Sequence, residues 1–238
     1  MCVINGPARV AKTKILVVPD SKKYRQLTVY TNSVETQVEN NAMILPVPFP
    51  NTVKFHSLDN YKDIFADCES QFPTPMFSRS AETNTLKVFK TNGYDVSIVP
   101  DIESFDQLDK NVFQLNSDVA NLLKGKYSSD FGYLVCKLST DGLVEYRPLA
   151  YSHTIMNNFK MFVPTLHYHG HEEKDGKADW DHVIYSINNK ANDQDRYSEK
   201  SALKLDLLDP PFNTEQNTIS KLELIGRYPN CDISFPMI

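Results

Sequence analysis

The chain has 238 residues, 41% of them apolar and 23% charged, with a formal net charge of −5 and a pI near 5.7. That length and mix predict a soluble protein with a sizeable core, and an acidic balance without a Lys/Arg run argues against a nucleic-acid binder. No apolar stretch approaches the roughly 18 residues of a membrane-spanning helix, and the N-terminus lacks the apolar core of a signal peptide, so an intracellular location is expected.

Cys2 follows the initiator methionine. Removal of Met1 would expose an α-amino cysteine, the nucleophile-and-base arrangement of N-terminal-nucleophile amidohydrolases. Cys2, Cys68, Cys136 and Cys231 form no CxxC pair, which excludes a zinc ribbon or a dithiol redox motif. Lys14 to Val18 and Gln26 to Asn32 read as strands joined by a polar turn over Pro19 to Tyr24. Asn41 to Val47 is a short apolar run expected to be a buried strand, ended by Pro46, Pro48 and Pro50. His56 is expected in a solvated loop, and Tyr61, Ile64, Phe65 and Cys68 recur at helical spacing.

Gln71 to Asn84 is rich in Pro, Ser and Thr and reads as a long surface loop, a candidate binding loop with Phe72, Phe77 and Arg79. Leu86 to Phe89 and Tyr94 to Val99 then form a predicted strand pair around Thr91-Asn92-Gly93. A short helical insertion is expected around residues 101–125, with Asp101 to Leu108 as a first helix. Ser117 to Lys124 is the second, capped by Asn116 or Ser117 and closed by Gly125. Phe131 to Leu138 and Leu143 to Tyr151 are read as a hairpin about Asp141-Gly142. Further on, Leu203 to Leu208 and Ile219 to Ile225 alternate as strands do, and the apolar tail Cys231 to Ile238 is expected to dock on the sheet or on another subunit. The sum is a mainly β chain: a single antiparallel β sandwich or barrel-like domain over residues 1–238, with one or two short helices.

Chemistry concentrates in Phe162 to Asn188, which holds four of the six histidines and the only tryptophan. Asp175-Gly176 is a strong type I′ hairpin signal. With that turn, His169 lies opposite His182 and Glu172 opposite Asp179, and alternation puts His167, His169 and His171 on the same face as His182. Cross-strand Cβ atoms sit roughly 4.5–5.5 Å apart, close enough for two imidazoles to share a zinc ion or another divalent transition metal. His167, His169 and His182 are the first expected ligands and His171 and Glu173 the next, with His153 as a further candidate. The alternative is a metal-free hairpin with solvated histidines, since a register slip of one residue separates them.

Several segments, NAMILPVPFP, FGYLVCKL, YRPLAYSH, FVPTLHYHGH and DWDHVIYSIN, resemble uncharacterised proteins of large DNA viruses of protists and some of their hosts. That resemblance implies no activity, but it implies a virion or host-interaction role, located in the host cytoplasm or the virion. A weaker likeness is to cupins, whose HxH followed by Glu is matched by His167, His169 and Glu173, while Gly176 comes too early for the family's later glycine. The motifs GxxxxGK[ST], GxGxxG and GxSxG do not occur. The functional expectations are a β-rich binding domain with a histidine metal site, a structural or assembly protein such as a minor virion component with protein partners, or an N-terminal-Cys amidohydrolase.

Overall fold

The structure is a computed structural model and describes residues 3–20, 22–72, 95–110, 113–156, 160–170, 176–187, 196–198, 202–212 and 218–236. In chain order the strands are β1 (Val3–Ile4), β2 (Arg9–Asp20), β3 (Arg25–Glu35), β4 (Ala42–Pro48) and β5 (Lys54–His56), then helix α1 (Ile64–Ser70) and β6 (Val96–Val99). Helix α2 (Ser117–Lys126) is followed by β7 (Phe131–Lys137), β8 (Leu143–Glu145), β9 (Leu149–Thr154), β10 (Lys160–Val163) and β11 (Tyr168–His169). The last strands are β12 (Lys177–Ile187), β13 (Arg196–Ser198), β14 (Ile219–Pro229) and β15 (Ile233–Pro236).

The protein is mainly β, as the alternating segments predicted, and its strands form open sheets rather than a closed barrel. One sheet runs β11-β1-β4-β7-β6, and the larger one runs β13-β14-β12-β2-β3-β9-β5 with β8 also on β3. β10 and β15 make a separate pair, which is where the apolar tail docks. A shared core joins the sheets: Ile4, Met43, Leu45, Leu134 and Cys136 from the first pack with Ile15, Val17, Tyr30 and Ile184 from the second. Removing such side chains from water is the main stabilising term, worth about 1.5–3 kcal/mol for each large apolar residue.

A second cluster on the far face of the larger sheet receives α1 through Ile64, Phe65 and Cys68. There the buried Lys221 ammonium lies 2.7 Å from Glu69 and 2.6 Å from Glu223, and the Tyr185 hydroxyl donates to Glu69. Helix α2 sits on the outer face of the smaller sheet through Val119 and Leu123. Its cap is Asn116, whose side chain accepts the Asp118 N–H at 2.8 Å. The helix continues through Gly125 to Lys126 and is capped by Tyr127, so Gly125 is not its terminator.

Several local expectations are corrected. Pro46 and Pro48 lie inside β4 rather than ending it; β1 reaches only Met43 and Ile44, so beyond them the missing N–H groups cost no ladder bond on that side. Glu103–Gln107 and Leu205–Leu207 are short 3-10 turns, not a helix and a strand. β7 pairs with β4 and β6, whereas β8 and β9 pair with β3, so Phe131 to Leu138 and Leu143 to Tyr151 do not form a hairpin. The loop and strand expected over residues 73–94, and the turn at Asn157-Asn158, lie outside the described residues. Among the described residues, no helix is long and apolar enough to cross a membrane.

Candidate functional site

The expected histidine hairpin does not exist as a pair of strands. β11 runs parallel to β1, with Ile4 opposite His169, while β12 is paired with β14 on one side and β2 on the other. Across from His182 stand Thr13 of β2 and Leu224 of β14, not His169. Yet the histidines meet. The His167 and His182 ring centres are 5.0 Å apart and those of His167 and His169 6.2 Å apart. Trp180 lies 4.7 Å from His167 and 4.8 Å from His182.

Two separate devices bring them together. On β12, alternation turns Ala178, Trp180, His182 and Ile184 inward and leaves Asp179 exposed. Opposite Trp180 stands Gly226, whose φ of 111° is unfavourable for other residues. β2 bulges between Ala11 and Lys14, and the Lys12 N–H, with φ at 56°, donates to Asp181 Oδ2 at 2.7 Å. His167 comes instead from the irregular stretch before β11. Its N–H donates to Asn230 Oδ1 (2.7 Å) and its carbonyl accepts from Asn230 Nδ2 (2.9 Å). Asp232 Oδ1 accepts the Thr165 and Leu166 N–H groups at 2.8 and 2.9 Å, and its other oxygen accepts the Tyr127 hydroxyl at 2.7 Å. Asn230 and Asp232, which the sequence reading passed over, therefore place His167; a polar pair in the turn after an alternating strand was the available signal.

The cluster is buried and polar. His167 is 3% exposed, while His182 and Thr13 have no exposure. His167 Nδ1 donates to the Thr165 carbonyl at 2.7 Å. Its Nε2, the Trp180 indole N–H and the Thr13 hydroxyl have no hydrogen-bond partner. Burial, with His169 adding to it, lowers His167 to about 2; the Thr165 and Asp179 carbonyls oppose that shift without reversing it. Asp181 is pushed up by burial against the pull of the Lys12 backbone N–H, and its Oδ1 lies 3.7 Å from His182 Nδ1. Buried polar atoms left unpaired cost about 1–3 kcal/mol each.

Among the described residues, no group of three or more His, Cys, Asp and Glu side chains is arranged to hold a metal ion. His171 and Glu173, the secondary expected ligands, lie outside the described residues, as does Cys2. His153 belongs to β9, opposite Gln26; its ring stacks on Tyr151 at 6.1 Å and its Nδ1 donates to the Thr154 carbonyl at 2.9 Å. His56, expected in a solvated loop, is 7% exposed on β5. Its Nδ1 donates to the Pro210 carbonyl at 2.5 Å and its Nε2 accepts from Ser152 Oγ at 2.8 Å.

A second concavity lies at the β6 edge of the smaller sheet. It offers about 400 Å³ and is lined by Ala42, Val135 and Phe113 together with Asp95, Asp109 and Lys137.

No family model matches the sequence. The fold is similar to that of baculovirus P35, with a TM-score of 0.62 and 13% identity over 100% of both chains. A mutated baculovirus P35 after caspase cleavage aligns with a TM-score of 0.50 and 14% identity, over 96% of this chain and 100% of that one. P35 in the caspase-8/P35 complex aligns at a TM-score of 0.47 and 14% identity, over 95% of this chain and 96% of that one. At identity this low the likeness shows the fold alone.

Proposed function

We propose that this chain is a protein-binding domain whose partner is a protease of the caspase class. The observation that carries the reading is the end-to-end likeness to baculovirus P35, a protein also solved after caspase cleavage. A viral setting, inside an infected cell, belongs to the same reading, because the structures it resembles are viral.

The β6 edge supports it further. Asp95 lines the concavity there, and in sequence it follows the Pro- and Ser-rich stretch whose composition marks it as a candidate binding loop. The cavity beside Asp95 is large enough to take a partner's side chain. The stretch 73–94 contains no aspartate, so Asp95 is the position where cleavage by an aspartate-directed protease is expected.

The test is incubation of the purified chain with a panel of caspases, followed by gel electrophoresis, intact-mass analysis and assay of residual protease activity. Cleavage after Asp95 or a stable complex supports the reading, and Asp95→Ala should abolish the cut. A chain that is neither cut nor bound by any caspase overturns it.

A further inference from the structure

Beyond protein binding, we propose that His167 and His182 form a binding site for one divalent transition metal ion of the zinc type, completed by solvent. The argument is geometric. Two imidazoles bound to one tetrahedral ion at about 2.0–2.1 Å place their ring centres about 5 Å apart. The His167 and His182 centres are 5.0 Å apart.

The state of His167 suits a ligand. A carbonyl can only accept, so the bond to Thr165 fixes the ring proton on Nδ1 and leaves the lone pair on Nε2. That lone pair is buried and has no donor. A histidine whose second nitrogen is anchored on a backbone carbonyl is the usual outer-shell arrangement at metal centres, because it fixes both ring orientation and tautomer.

The surroundings have unmet needs that a hydrated ion answers. The Trp180 indole N–H lacks an acceptor and the Thr13 hydroxyl lacks any partner. Water on the metal accepts from the first and bonds the second. The Asp179 carbonyl, which also faces the His167 ring, is a further oxygen within the cluster. Two imidazoles with oxygen donors suit Zn, Co, Ni or Cu(II) better than Ca or Mg. His169 is half-buried, with its ring centre 6.2 Å from that of His167.

The rival is an ordinary buried water bridging the same atoms. The site carries its own reporter, since Trp180 is the only tryptophan and touches both rings. The experiment uses the full chain, freed of metal by chelation and titrated with zinc chloride and with Co(II). Trp180 emission, Co(II) visible absorption and metal content after dialysis are the readouts.

Saturable binding of one equivalent is expected, with a change in Trp180 emission. In His167→Phe, which keeps a ring in the same space, affinity should fall about 10- to 100-fold or more. A wild-type chain that retains no metal overturns the proposal in favour of the bridging water. So does His167→Phe binding metal as tightly as wild type, which would place any site on other histidines. Should that variant fail to fold, His182→Asn takes its place, and the wild-type titration decides by itself whether an ion is held.

Discussion

Asp232 and His167 meet at the Thr165–Leu166 backbone, the first by accepting its N–H groups and the second by following it in the chain, and each sets a polar side chain into packed surroundings. Asp232 is fully engaged: two backbone N–H groups and the Tyr127 hydroxyl converge on its two oxygens. His167 engages its Nδ1 on the Thr165 carbonyl, while its Nε2, buried in the cluster with Trp180 and His182, makes no hydrogen bond of ordinary geometry. A satisfied buried group contributes to stability, whereas an unsatisfied one costs free energy and persists where something else uses it. The difference separates a structural clamp from a candidate binding site at neighbouring points of the fold, although Asp232 and His167 are far apart in sequence.

That contrast can be broken from the Asp232 side with the largest effect. Asp232→Ala leaves two N–H groups and a phenol without their acceptor and should cost about 3–4 kcal/mol, read as a lower urea midpoint. A loss below about 1 kcal/mol would show that the clamp is dispensable.

Acid comes next. Burial lowers His153 from 6.5 to about 4 in the folded chain, so between those values the unfolded state binds more protons. Stability present above pH 6.5 is lost as the pH falls through about 4, by about 3 kcal/mol for this group. Urea melts at pH 7 and pH 4.5 measure the slope, and His153→Phe should make it shallower without abolishing it, because burial also holds His56 and His167 below their ordinary value.

Lys221→Met should cost only about 1 kcal/mol, because Glu69 and Glu223 are each 44% exposed and water screens them. Thermal melts in low and high salt check this: the wild type should lose part of its margin in salt and the variant should not. The smallest effect sharpens the contrast. Without metal, His167→Phe should stay within about 1 kcal/mol of wild type, since the lost Thr165 bond is offset by removing an unpaired buried nitrogen. A drop of several kcal/mol would make His167 a second clamp like Asp232.

The mainly β class was legible because alternation and turn residues are local signals: β2, β3, β4 and β14 fall where the patterns put them. Partner choice was not legible. Asp141-Gly142 and the residues before β12 carry strong turn chemistry, yet β7 and β8 enter different sheets, and β11 and β12 do likewise. A turn motif fixes a reversal of the chain, but which strand lies alongside is decided by long-range burial. His167 and His182 were expected together through a strand register that does not occur. They meet because Asn230 and Asp232 fix one and β12 carries the other, a convergence that no short sequence window contains.

At the middle of the larger sheet β2 lies parallel to β12, with Thr13 beside His182 and Val17 beside Ser186. Those neighbours are separated by most of the polypeptide. A ribosome adding about 5–20 residues per second would deliver β12 on the order of ten seconds or more after β2 has emerged. During that interval the apolar flank of the β2–β3 pair has no neighbour on its β12 side, a template open to other nascent chains. Synthesis of this protein should therefore depend on chaperones that shield strand edges, and slowing translation before residue 177 should raise the aggregated fraction.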